Sequence, residues 1–325
     1  MDKIDEIIRD VAYNQDIDAL MSEYLMGKNL SQNPLRDFVQ YQINECKRNN
    51  LELEKEGFQI GEPWNGDILN APILFLSSNP AFNFNEASPR YMGNGKIVMP
   101  AHENNPEEGV DLDYIKNFLR YRIQSSPAYS TRDDLGIPLK DGNVYRVNYW
   151  NNVKNRIEEI LPDSIKKTWQ AMVQNGEMTQ RNYAQKLMKY AVCMEIVPFR
   201  SNGQFGVNQS SINYCWDKFT QKILALSGAS IFVIVGNNNN AAAPMYVFDT
   251  FTEKMLGNNL ADARETLKKG KEKAEEKGDV YHRNIGGKDR LIVSIGFDAG
   301  AIYTFTNHLT TKAMDELRST FAKAI

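Results

Sequence analysis

Four polar stretches of this 325-residue chain follow apolar runs, and they hold the side chains best suited to chemistry. They are Ser77-Ser78-Asn79-Pro80-Ala81-Phe82, Pro198-Phe199-Arg200-Ser201, Gly236 with the asparagines 237–240, and Asn307-His308-Leu309-Thr310. An Asn-Pro turn at a strand tip holds a carboxamide in a fixed direction. His308 can exchange a proton near neutral pH, and Thr306 or Thr310 can cap a helix beside it. Glu195 is the unusual residue, because it stands inside the apolar run AVCMEIV. A carboxylate there costs several kcal/mol unless it is paired, so either a partner such as Arg200 or a role toward a ligand is expected.

The same inventory excludes other chemistry. The imidazoles are His102, His282 and His308, the thiols are Cys46, Cys193 and Cys215, and neither set has the spacing of a metal site. No metal and no cofactor are expected. The three cysteines read as free thiols of a reducing cytoplasm rather than a disulfide framework. Lys and Arg total 38 against 41 Asp and Glu, a net charge of −3, so any contact with nucleic acid must be local. The lysines at 268, 269, 271, 273 and 277 alternate with glutamates, the pattern of a solvated helix face. The acidic, amphipathic start MDKIDEIIRD is unlike a signal peptide. The longest nearly apolar stretch, 223–235, is too short for a bilayer, which needs about 20 residues. No membrane partner is expected, and the sequence does not set an oligomeric state.

These residues need a scaffold, and the periodicity supplies one. Residues 1–50 carry apolar positions at helical spacing and predict two helices, followed by a turn-rich stretch from 57 to 67. Short, apolar, β-branched runs at 71–76, 191–197, 230–235 and 291–295 predict buried strands. Helices are predicted at 112–125, 148–160, 179–190, 211–226, 241–256, 261–278 and 310–324. The run IYTFT reads as a last strand. A Gly-Gly turn inside 280–295 predicts a hairpin at a sheet edge. Strands alternating with helices specify an α/β protein: a three-layer α/β/α sandwich with a central, mostly parallel sheet. Residues 1–56 are assigned to an N-terminal helical extension and 57–325 to the α/β/α domain. In such sheets ligands sit beyond the carboxyl ends of the strands, where the four polar stretches lie. The loop 83–112, rich in Asn, Pro and Gly, is long enough to be read as functional.

The phrase Gly61-Glu-Pro-Trp-Asn-Gly-Asp67 with LNAPILFLSSNPAF resembles the first motif of the uracil-DNA glycosylase superfamily. Glu195-Ile-Val-Pro-Phe199 is similar to the superfamily's second strand and IFVIVG to its third, and Asn307-His308 lies where its His-Pro-Ser motif is expected. The resemblance covers roughly 57–325, and residues 1–56 carry none of it. It implies hydrolysis of an N-glycosidic bond, with Asn79 holding the water and His308 donating to the departing base as the catalytic pair. Ser78, Phe82, Glu195 and Phe199 would bind substrate, Phe82 by stacking on the base and Glu195 by reading its edge. The partner would be nucleic acid or a ligand containing a nucleobase.

Three departures from the superfamily pattern modify that expectation. Asn is usual at the position of Glu195, glycine is common where Ser77-Ser78 stands, and Pro-Ser does not follow His308. An ionised Glu195 offers acceptors only, which suits a base edge with two donors and repels O4 of uracil. Two other readings therefore stand beside a base-excising enzyme: a noncatalytic module that senses a base or nucleotide, and a hydrolase of free nucleosides or similar small molecules.

Overall fold

The computed structural model describes residues 2–77, 89–93, 95–98, 110–125, 148–201, 205–235, 278–295, 297–298, 301–302 and 304–325. Its centre is a six-stranded sheet. The strands are β2 (Trp64–Gly66), β3 (Ile73–Ser77), β6 (Ala191–Glu195), β7 (Ile231–Val235), β8 (Tyr281–Ile285) and β9 (Lys288–Ile295), arranged β2-β6-β3-β7-β9-β8. The inner four are parallel, in registers such as Ser77↔Glu195 and Val233↔Val293, and each edge strand is antiparallel. All four apolar runs form strands, because β-branched residues buried on both faces suit a covered parallel sheet. The hairpin β8–β9 turns on Gly286 and Gly287, with φ of 64° and 79°. Two consecutive left-handed residues make a tight hairpin turn that glycine adopts without strain. A small sheet pairs β1 (Phe58–Gln59), β4 (Arg90–Tyr91) and β5 (Ile97–Val98), and β10 (Phe297–Asp298) pairs with β11 (Ala301–Ile302).

Alternation along the strands divides the core in two. Leu74, Leu76, Val192, Met194, Phe232 and Ile234 face one layer, which includes α1 (Lys3–Ala12), α2 (Gln15–Leu25), α3 (Arg36–Arg48), α5 (Leu112–Ser125), α9 (Gln209–Cys215) and α10 (Gln221–Leu226). Ile73, Phe75, Ala191, Cys193, Ile231 and Val233 face the other, formed by α6 (Asn148–Ile160), α8 (Gln180–Met188) and α12 (Thr311–Ala324). This is the α/β/α sandwich.

The first 50 residues form three helices where the spacing predicts two. Asn14 separates α1 from α2, its side chain accepting from the amides of Asp16 and Ile17, and a side-chain cap of this kind starts a new helix. Ile7, Ile8, Val11, Leu20 and Phe38 from these helices share one buried cluster with Leu74, Val192 and Phe199. A short α4 (Leu53–Glu56) follows.

Two further differences lie on the second face. The helix α7 (Asp163–Gln174) adds to the sequence reading; Ile165, Trp169, Met172 and Val173 have helical spacing but are only partly buried. The run IYTFT gives a two-residue β11 and then α11 (Phe305–His308), because Glu159 accepts from the amides of Phe305 and Thr306 and so starts a helix there. Thr310 caps α12 through the amide of Ala313. The predicted helix at 241–256 and, except for Gly278, the one at 261–278 lie outside the described residues. Among the described residues no helix is long and apolar enough to cross a membrane.

Candidate functional site

The parallel pairing of β3 and β6 brings Ser77 level with Glu195 at the carboxyl ends of both strands. Ser77 Oγ donates to Glu195 Oε2 at 2.6 Å, and the Ile196 amide donates to the Ser77 carbonyl at 2.9 Å. Three contacts then hold the chain beyond β6. Thr220 Oγ1 donates to the Ile196 carbonyl at 3.1 Å, the Glu62 amide donates to the Pro198 carbonyl at 3.2 Å, and Ser201 Oγ donates to the Phe205 carbonyl at 2.7 Å. Thr220 ends a π-helical turn, 216–220, between α9 and α10. An inserted turn of this kind re-aims side chains along an otherwise continuous helix. At Gly61 a Cβ would stand 2.9 Å from both the Pro198 carbonyl oxygen and Val11 Cγ1. Only glycine permits that approach, and it brings Glu62 alongside the segment that follows Glu195.

Arg200, the expected partner of Glu195, pairs elsewhere. Its Nη2 donates to Glu62 Oε1, both side chains being only 3% exposed, and Asn65 Nδ2 donates to Glu62 Oε2 at 3.1 Å. Glu195 is partly buried and makes no ion pair with the guanidinium. Burial pushes its carboxyl up to about 7; the Ser77 hydrogen bond and the charge of Arg200 pull the other way, and the charge of Glu62 adds to the rise. At neutral pH Glu195 therefore exchanges between a carboxylate, which only accepts, and a carboxylic acid, which presents one O–H donor and one carbonyl acceptor. A carboxyl poised in this range is suited to acid–base work and to reading hydrogen-bonding edges.

Of the predicted site residues, Glu195, Phe199 and His308 are described, while Ser78, Asn79 and Phe82 lie outside the described residues, as do 237–240. Phe199 is fully buried. Its ring centroid stands 6.0 Å from that of Phe38 and 6.1 Å from that of Phe219, so it backs the segment after β6 from within the core. His308 is on α11, beyond the β10–β11 hairpin that follows β9, and its Nδ1 is 2.9 Å from the Thr304 carbonyl oxygen. Two strands separate β9 from β6, which sets the strand axes leading to His308 and Glu195 about 14 Å apart. Cys46, Cys193 and Cys215 are buried and not disulfide-bonded, and burial raises Cys46 to about 11. Among the described residues no group of three or more His, Cys, Asp or Glu could hold a metal ion.

Glu62, Asn65 and Ser77 are site residues that the sequence reading does not single out for a role. The available signal is the phrase GEPWNG, where a carboxylate lies between a glycine and a proline and only 2% of it is exposed in the fold. Among the described residues the arrangement sets the carboxyl groups of Glu62 and Glu195 and the guanidinium of Arg200 near a strand end, with Arg200 ion-paired to the more deeply buried Glu62. The chain matches no protein-family model, and it matches no curated protein.

Proposed function

We propose that the chain is a divergent DNA glycosylase-like protein that takes a base of nucleic acid into the carboxyl end of its sheet and reads the base edge with Glu195. The observation that carries this reading is Glu195 itself: a carboxyl at the end of a central parallel strand, oriented by Ser77 and, among the described residues, held in no ion pair. Its proton decides which edge fits. Above its midpoint of about 7 the carboxylate suits two donors, such as the N1–H and amino group of a guanine-type base. Below it, the acid presents one donor and one acceptor, as an amide would, and the O4 of uracil is no longer repelled.

Hydrolysis would expel the base with negative charge and leave an oxocarbenium-like sugar, so a placed water and a donor suffice without a covalent nucleophile. By resemblance those roles fall to Asn79 and His308. A noncatalytic base-sensing module is the second reading, favoured by the position of His308 beyond β9. The three buried, unbridged thiols support a cytoplasmic setting.

Single-turnover assays on oligonucleotides carrying one guanine-type base or one uracil test this at pH 6 and pH 8. The unmodified protein should favour the guanine-type edge at pH 8 by about tenfold or more, since one unmatched polar group costs about 1–3 kcal/mol. The preference should narrow at pH 6, and Glu195→Gln should abolish its pH dependence. Binding without base release assigns the sensing role. Uracil handled equally by the unmodified protein and Glu195→Gln at pH 8 would remove the argument.

A further inference from the structure

We propose that Glu62 and Arg200 are positioning residues: their buried ion pair keeps the guanidinium off Glu195 and leaves that carboxyl available to the ligand. This inference rests on the base-reading role of Glu195, and it explains how a carboxyl five residues from an arginine makes no ion pair with it. The geometry is specific. Glu62 uses one oxygen for Arg200 and the other for Asn65 Nδ2, so both of its oxygens are anchored. Its own backbone is tied to Pro198 through the Glu62 amide, and Gly61 allows the two segments to meet. Asn65 pairs with Cys193 across β2 and β6, so it shares a sheet face with Cys193 and Glu195 and stands diagonally from Glu195. Among the described residues two carboxylates thus lie within reach of the Arg200 charge, and the tether on Glu62 favours the pair with Glu62.

Among the described residues, the polar and charged groups that bear on the Glu195 carboxyl are Ser77 from β3, Arg200 from the segment after β6, and Glu62 from the segment before β2. Removing one member of the pair therefore has a predictable sign. In Glu62→Gln the guanidinium loses this carboxylate and Glu195 loses a neighbouring negative charge, and both changes favour the charged form of Glu195. An opposite charge within about 4–6 Å lowers a carboxyl by about 1–3 pH units. In Arg200→Gln the attractive charge is gone and Glu62 remains, so the Glu195 midpoint rises.

The test is a carbon-13 NMR titration of the full chain labelled at glutamate carboxyls, with Glu195→Gln assigning the resonance. The expected result is a midpoint that falls by about 1–3 pH units in Glu62→Gln and rises in Arg200→Gln. Glu62→Asp should give a smaller fall, and it serves in place of Glu62→Gln if that variant does not fold. A midpoint that stays put or rises when Glu62 is changed overturns the proposal; because unfolding alone returns the carboxyl toward its usual 4.5, the fall is read only in variants whose circular dichroism and amide spectra match those of the unmodified protein. The titration needs no ligand. Oligonucleotides that bind while the midpoint stays fixed overturn the positioning role alone; shifted midpoints with no binding of guanine-type or uracil oligonucleotides at pH 6 or pH 8 overturn the reading of function and, with it, presentation to a ligand.

Discussion

Arg200 and Arg290 are both almost fully buried, and they stand at opposite ends of the sheet. Arg290, near the amino end of β9, has no carboxylate partner among the described residues. Its Nη1 donates to the Ala229 carbonyl, its Nη2 donates to the Ser227 carbonyl at 2.7 Å, and its guanidinium carbon is 5.3 Å from the Phe232 ring centroid. Burial lowers its affinity for the proton. This cation is a structural pin: it joins β9 to the turn that precedes β7 and satisfies carbonyls that would otherwise be orphaned. Arg200, beyond the carboxyl end of β6, has a carboxylate partner in Glu62 and a second carboxyl, Glu195, within reach of its charge. At the amino end, then, the Arg290 guanidinium is held by neutral dipoles. The carboxyl end holds a surplus of ionisable groups. A buried cation by itself is no sign of a site; the surplus of titratable partners is what distinguishes one end from the other.

The largest expected effect comes from Arg200→Met. It strands the Glu62 carboxylate in the interior and should cost about 3–5 kcal/mol at pH 8 by denaturant unfolding, and less at pH 5, where the stranded carboxyl can take a proton. A loss that is the same at both pH values would erase the contrast between the two ends. Arg290→Met should cost about 2–4 kcal/mol, because two buried carbonyls lose their donors. That loss should not change between pH 5 and pH 8, and the Glu195 midpoint should not move; dependence of either kind would show that the amino end also titrates.

Glu195→Gln is the smallest of the three and differs in sign. The folded-state midpoint of Glu195 is raised from the usual 4.5 to about 7. Between those values the unfolded chain releases the proton first, so the contribution of Glu195 is fully present below about pH 4.5 and is lost as pH rises through about 7. The amide carries no such penalty, so at pH 8 the variant should be more stable than the unmodified protein by about 1–3 kcal/mol, the partial exposure of the carboxyl limiting the gain. Equal stabilities across pH 4–8 would mean that Glu195 is not held as described.

Much of this architecture is written locally. The strands β3, β6, β7 and β9 are short β-branched runs, the β8–β9 hairpin follows from Gly286 and Gly287, and the start of α12 follows from Thr310, because each depends on neighbours within a few residues. Glu195 is also legible, since a carboxylate in an apolar run is anomalous wherever the run is placed. The partner of Arg200 is not legible. Sequence proximity favours Glu195, five residues away, yet Glu62 takes the guanidinium from 138 residues away. That outcome depends on how closely Gly61 approaches Pro198, on the grip of Asn65, and on which carboxylate is more deeply enclosed. Periodicity records which face a residue occupies and turn chemistry records where the chain reverses. Neither records the distance between two charges on separate segments, so the sequence determines the strands and the exceptional carboxyl, and only the packed tertiary structure decides its charge.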